Sequence, residues 1–170
     1  MSGLKRSGKM VRQSLEGAER ACRTQGLRLT DKRKRLLTSL LKAAGPISAY
    51  DLAHHYRADH GEELPVMTVY RMLDVFIDAG VVHKLRSTNR FMACRHMACD
   101  HPHAATQFLI CDSCGIVREM DFADAEISKL NQKARSSGFH LYQEQLELHG
   151  VCDRCHSGIE EKTPDARAHG

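Results

Sequence analysis

Two C-x-x-C pairs constrain this chain more than any other feature. They are Cys111-Asp112-Ser113-Cys114 and Cys152-Asp153-Arg154-Cys155, separated by 37 residues. Two intervening residues let both sulfurs of a pair turn toward one ion, and zinc asks for little beyond four soft ligands in a tetrahedron. The pattern predicts a structural zinc held by Cys111, Cys114, Cys152 and Cys155, so whatever lies between the pairs must fold back until they meet. A redox dithiol in either pair is a rival reading, and so is a disulfide framework, although two-residue spacing is short for a bridge and nothing marks secretion.

A chain of 170 residues forms one or two small domains whose cores are marginal alone, which makes a metal staple physically sensible. No apolar run approaches the roughly 18 residues of a membrane-crossing helix. Met1 to Val11 is basic and lacks the apolar stretch of a signal peptide. These features predict a soluble cytoplasmic protein with no membrane partner, in a compartment where seven cysteines mean metal or thiol chemistry more often than bridges.

The net charge of +4 conceals an asymmetry: residues 1–95 carry 18 Lys/Arg against 9 Asp/Glu, and residues 96–170 carry 7 against 12. A basic half followed by an acidic, cysteine-rich half suits a polyanion-binding domain joined to a metal-binding one. Along the basic half, residues 1–10 read as a flexible basic arm. Apolar residues from Val11 to Gln25 then recur at helical spacing, with Cys22 on the buried face. Thr30 caps a second helix bearing Leu36, Leu37, Leu40 and Leu41 and ending at Gly45-Pro46, and its first turns are crowded by Arg28, Lys32, Arg33, Lys34 and Arg35. Ser48 caps a third helix, Pro65 opens a fourth, and Gly80 stops it. Val81 to Leu85 and Arg90 to Cys94 form a hairpin around Arg86-Ser87-Thr88-Asn89. Helices followed by a hairpin give a winged helix-turn-helix, in which the helix before the wing reads DNA. Thr68, Tyr70 and Arg71 lie outside that helix's apolar stripe; an arginine there can pair with guanine and a hydroxyl with phosphate.

After Cys94 the composition changes, and Arg95-His96-Met97-Ala98-Cys99-Asp100-His101-Pro102-His103 is dense in ligand types. The domain boundary is placed there, giving a DNA-binding domain at 1–95, a metal-binding domain at 96–156 and a disordered tail at 157–170. Gln107 to Ile110 and Ile116 to Met120 read as strands flanking the first knuckle, and Asp124 to Ser137 as a helix. Leu141 to His149 alternates as a half-buried strand, with Leu146 and Leu148 on one face. The predicted class is α+β: an N-terminal winged helix-turn-helix domain, then a small α/β domain with a structural zinc.

Several stretches together resemble the ferric uptake regulator family of metal-dependent bacterial transcription factors, and within it the zinc-sensing branch. Arg28-Leu29-Thr30 with Arg33 is similar to the family's R-[LM]-T-x-x-R, and Ile47-Ser48-Ala49-Tyr50-Asp51-Leu52 to the opening of its third helix. Thr68-Val69-Tyr70-Arg71 matches its recognition-helix signature. Val82-His83-Lys84, Ser87-Thr88-Asn89, Phe108 to Gly115 and Glu147 to Cys152 resemble the zinc-sensing branch in particular. Where the family usually has Pro-Gln, this chain has Asp31-Lys32, a local change at a helix start.

The resemblance implies a homodimer joined through the C-terminal sheet, with two winged domains on an A/T-rich palindromic operator in double-stranded DNA and Tyr50 and Arg71 reading bases. It implies a second, regulatory zinc on His83, Cys94, His103 and Glu119, making about two Zn2+ per subunit. The spacing from the loop histidine to Cys111 is one residue longer than the family pattern, so His101, His96 or Cys99 stand as alternatives to His103. Gln143 stands where the family has a histidine of a third site, and glutamine is a poor zinc ligand, so either His140 substitutes or the third site is missing. His54, His55 and His60 read as surface residues and His149 as structural.

The function expected is that of a zinc-responsive repressor of zinc-uptake genes, without enzymatic activity or an organic small-molecule substrate. One rival keeps the fold and senses iron, nickel, manganese or peroxide; Cys94 as a ligand argues against it, because sulfur favours zinc over metals that prefer nitrogen and oxygen. Another is a zinc hydrolase with Glu119 as general base, which requires an open coordination position that four protein ligands would close.

Overall fold

The computed structural model describes residues 8–95, 106–142 and 145–160. The chain divides into two compact units, Met1–His103 and Ala104–Gly170. The boundary expected after residue 95 from composition lies at the edge of residues 96–105, which are outside the described set.

The first unit runs α1 (Gly8–Thr24), α2 (Asp31–Lys42), α3 (Ala49–His60), α4 (Val66–Asp78), β1 (Val82–Leu85) and β2 (Arg90–Ala93). Helix starts follow local chemistry. The Ser48 hydroxyl accepts the Asp51 backbone N–H at 3.1 Å and donates to the Asp51 carboxylate at 2.8 Å, which satisfies an N–H that the first turn would otherwise leave unpaired. Thr30 does the same for Arg33 at the longer distance of 3.5 Å. Gly61, with φ of +68°, ends α3 in the left-handed conformation, where a side chain would add strain. Pro65 supplies the N-cap position of α4 without a side-chain hydrogen bond.

Leu36, Leu37, Leu40 and Leu41 of α2 pack with Leu52 and Tyr56 of α3 and with Val69, Leu73 and Phe76 of α4 in one core. Cys22 is buried there too. Tyr56 and Phe76 are fully enclosed, and each such side chain contributes on the order of 1.5–3 kcal/mol by leaving water. β1 and β2 pair antiparallel from Val82↔Ala93 to Leu85↔Arg90, and Asn89 takes a φ of 49° in the turn. Ile47, just ahead of α3, adds a bridge to Phe91 of β2.

The second unit contains β3 (Thr106–Cys111), β4 (Val117–Asp121), α5 (Asp124–Ser136), β5 (Glu147–Gly150) and α6 (Asp153–Glu160). Its sheet has the order β4-β3-β5, antiparallel on one side of β3 and parallel on the other. A parallel partner requires a crossover, and α5 lies within it. The Gln107 side chain, fully buried, accepts the Leu146 backbone N–H, and Phe108 N–H donates to the Leu146 carbonyl at 2.9 Å, so the attachment of β5 starts ahead of the strand itself.

Two sequence expectations need correction in this unit. Of the half-buried strand expected over 141–149, the described residues are in strand only at Glu147–Gly150, and Leu148 on its apolar face is 42% exposed. β5 is an edge strand with no second layer of this chain over that face among the described residues, so alternation alone did not bury it. Residues 157–160, read as the start of a disordered tail, lie in α6.

Candidate metal centre and nucleic-acid interface

Cys111 is the last residue of β3, and the turn after it closes through the Gly115 N–H donating to the Cys111 carbonyl at 2.8 Å. Gly115 has a φ of +70°, a backbone state that glycine adopts without strain, and Cys111 N–H donates to Ile116 at 2.9 Å to start the return strand. The first knuckle is therefore the tip of the β3–β4 hairpin. The second arrives because β5 runs parallel to β3 with Cys111 opposite Gly150 and with Asp112 N–H donating to the Gly150 carbonyl at 2.9 Å. Cys152 follows, its N–H donating to the Cys111 sulfur at 3.3 Å, and the start of α6 carries Cys155 back to the same point.

All four sulfurs lie within 4.8 Å of one another, and those of Cys114 and Cys152 are 3.7 Å apart. Zinc–sulfur bonds of about 2.3 Å in a tetrahedron require sulfur separations of about 3.8 Å. The cysteines are free thiols, with spacing that suits a shared ion and is far beyond the roughly 2.05 Å of a disulfide. Backbone N–H groups, first that of Cys152, hold the Cys111 thiol down to about 6, and the Cys155 N–H lowers Cys152. Hydrogen bonding to Cys152 pushes Cys155 up to about 12. The Cys111 and Cys152 thiols are thus shifted toward the thiolate and that of Cys155 away from it. Four protein ligands close a tetrahedral zinc, leaving no position for a reacting water, so this centre suits structure rather than hydrolysis. His149 Nδ1 lies 2.7 Å from Asp112 Oδ1 and ties the strand before the second knuckle to the first, the structural role read for it from the sequence.

In the first unit His83 stands on β1 opposite Met92, and Cys94 directly follows β2 with its N–H donating to the Val81 carbonyl at 3.0 Å. Their ligand atoms lie within 4.8 Å of each other, and Cys94 is 1% exposed. The hairpin register brings a nitrogen and a sulfur donor together from positions eleven apart in sequence. In the second unit Glu119 is half-buried on β4 opposite Phe108. His96, Cys99, His101, His103 and Gln143 lie outside the described residues, and His140 is exposed. His54 and His55 are exposed as expected. His60 is half-buried: its ring lies tilted at 54° against Tyr56 with centroids 4.9 Å apart, and its Nε2 is 3.3 Å from the Arg35 carbonyl.

Among the residues expected at DNA, Tyr50 is the second residue of α3 and 63% exposed, and Arg28 and Arg71 are exposed. Thr68 sits half-buried in the first turn of α4. Tyr70, also half-buried, sets its ring against Phe91 edge-on, with centroids 6.0 Å apart and planes at 71°. Arg33 makes a contact that the sequence did not announce, its guanidinium donating to the Arg28 carbonyl at 2.8 Å and tying down the chain that leads into α2.

The basic run at the start of α2 is also less free than its composition suggests. Lys32 pairs with Glu62 at 2.6 Å, Arg35 with the same carboxylate at 3.6 Å, and Lys34 with Glu19. Those acids lie on α1 and after α3, too far along the chain for a local reading to find. Lys32, Lys34 and Arg35 thus carry acidic partners at the surface of the first unit.

A family model described as the ferric uptake regulator family matches residues 24–149. The zinc uptake regulation protein of Escherichia coli (strain K12) is 37% identical over 141 residues, covering 83% of this chain and 80% of that protein. The peroxide operon regulator of Bacillus subtilis (strain 168) is 30% identical over 149 residues, covering 86% and 96%. A solved structure of a zinc uptake regulator complexed with zinc and DNA superposes with a TM-score of 0.75 at 32% identity, covering 91% of this chain and 99% of that one. With its motifs, its paired knuckles and a family match spanning most of its length, the chain belongs to the ferric uptake regulator family.

Proposed function

We propose that this protein is a zinc-responsive, DNA-binding transcriptional repressor of zinc-uptake genes, acting in the cytoplasm as a homodimer. The observation that carries the reading is the pairing of His83 with Cys94 on the wing of the DNA-binding unit, within 4.8 Å and with Cys94 buried. The similarity to zinc uptake regulators, one of them solved with zinc and DNA, supports it. In this reading Cys111, Cys114, Cys152 and Cys155 hold a structural zinc. His83, Cys94, Glu119 and one loop residue, His103 or else His101, His96 or Cys99, hold the regulatory one. A sulfur, nitrogen and oxygen set favours zinc over iron or manganese.

Ligands drawn from both units make metal binding selective for one arrangement of the wing. Zinc then favours the arrangement competent for DNA, and DNA in turn favours zinc. Tyr50, Thr68, Tyr70 and Arg71 meet bases and backbone on a palindromic, A/T-rich operator, while Arg28 and Arg33 set and neutralise phosphates. Two-fold symmetry of the operator calls for two copies, and the exposed Leu109, Leu148 and Val151 around the β3–β5 sheet offer an apolar surface for the second.

The similarity to a peroxide regulator favours one other reading, the same fold switched by iron and peroxide. Binding to duplex DNA across buffered free zinc, with zinc counted per subunit, separates the two. Affinity rising steeply as the count passes from one to two supports zinc sensing, and a response to ferrous iron with no response to zinc overturns it.

A further inference from the structure

The metal-bearing hairpin, the recognition helix and the opening of α3 all converge on Phe91. Its backbone exchanges two hydrogen bonds with Ile47, N–H of Ile47 to the Phe91 carbonyl at 2.9 Å and the reverse at 2.8 Å. Its ring, 1% exposed, takes the edge-on contact with Tyr70 of α4 and carries the Lys84 ammonium 5.7 Å from its centroid. Next to it, the Arg90 guanidinium donates to the Pro46 carbonyl at 3.1 Å.

An isolated two-stranded hairpin is a poor lever, since it is marginally stable by itself. Here Ile47 pairs to β2 as a third strand would, and it immediately precedes Ser48, the N-cap that starts the helix carrying Tyr50. His83 is one residue from Lys84, which faces Phe91 in the strand register, and Cys94 is three residues beyond Phe91. A shift of the hairpin therefore moves the start of α3 through two backbone bonds and Tyr70 through ring contact, along one continuous packed path.

We propose that Phe91 is the positioning residue that couples metal ligation at His83 and Cys94 to the DNA-reading residues Tyr50 and Tyr70. This inference rests on the proposed zinc-responsive DNA binding. It makes the Phe91 ring and backbone, rather than the general stability of the wing, the carrier of the response.

The test uses the full chain and a duplex selected by the zinc-loaded protein from a randomised pool. Phe91→Leu keeps most of the apolar volume and removes the aromatic edge contact. The zinc-dependent gain in DNA affinity is expected to fall about tenfold, within the roughly 5–150-fold span of such couplings. Zinc per subunit and zinc-free DNA affinity should stay unchanged. Arg90→Gln, at an exposed position that does not threaten the fold, should lose a smaller part of the same gain, and Phe91→Leu combined with Tyr70→Leu should lose no more than the larger single change.

A DNA-free readout accompanies these. Adding the second zinc should shift the Tyr70 ring resonances in the unaltered protein and leave them still in Phe91→Leu, while Tyr70→Phe, which keeps the ring, should still respond. Equal losses with and without zinc, additive losses in the double variant, or a Tyr70 ring that ignores zinc would overturn the proposal. A Tyr70 ring that follows zinc through Phe91 in a protein whose DNA binding ignores zinc would uphold the linkage and remove the proposed function instead.

Discussion

Cys111 ends β3 and accepts the Cys152 backbone N–H at 3.3 Å, so the fold favours its thiolate before any ion arrives. Replacing it by serine removes a ligand at the point where both knuckles meet. Cys111→Ser is expected to lose the structural zinc and unfold the second unit, since structural zinc contributes about 10–16 kcal/mol in zinc-finger peptides; zinc stoichiometry and circular dichroism check this. Cys94→Ser should instead leave a folded protein with one zinc per subunit and no zinc-dependent DNA binding.

Among the elements, α3 depends on its caps more than on its sequence preference. The Ser48 hydroxyl serves one backbone N–H and Asp51 together, and Ser48→Ala is expected to cost about 1 kcal/mol, read as a lower denaturation midpoint of the first unit. The same element is held to α2 by the buried Ser39 hydroxyl donating to Asp59 at 2.7 Å, with Lys42 3.2 Å from the same carboxylate. Its start and stop were legible in the sequence because Ser48 and Gly61 act locally. The buried tie through Ser39 was not, since nothing in a serine on an apolar stripe names its partner twenty residues away. β5 shows the reverse failure: a clear alternation predicted a half-buried strand, but among the described residues nothing covers Leu148, which is 42% exposed.

For the whole molecule, the exposed apolar residues of the second unit bear on assembly. No residue of α5 is buried, and Leu109 and Leu148 on adjacent strands of the sheet are 40% and 42% exposed. If a second copy covers this sheet, Leu148→Asp should shift the protein from dimer toward monomer in sedimentation and weaken operator binding at least tenfold, because both half-sites must then be occupied independently. Zinc at the four cysteines should remain. A dimer unchanged by Leu148→Asp would place the two-fold contact elsewhere.

The sequence by itself determined the metal chemistry and the order of elements: paired C-x-x-C spacing dictates a four-thiolate site, and helix caps, glycine stops and the wing turn are local effects carried by the residues themselves. Tertiary structure alone decided which distant groups meet. The parallel register of β5 on β3 brings Cys152 to Cys111, the hairpin pairs His83 with Cys94, Glu19 and Glu62 neutralise much of the basic run, and Phe91 joins the wing to α3 and α4. Those contacts depend on chain crossings and packing between residues far apart in sequence, and no local spacing encodes them.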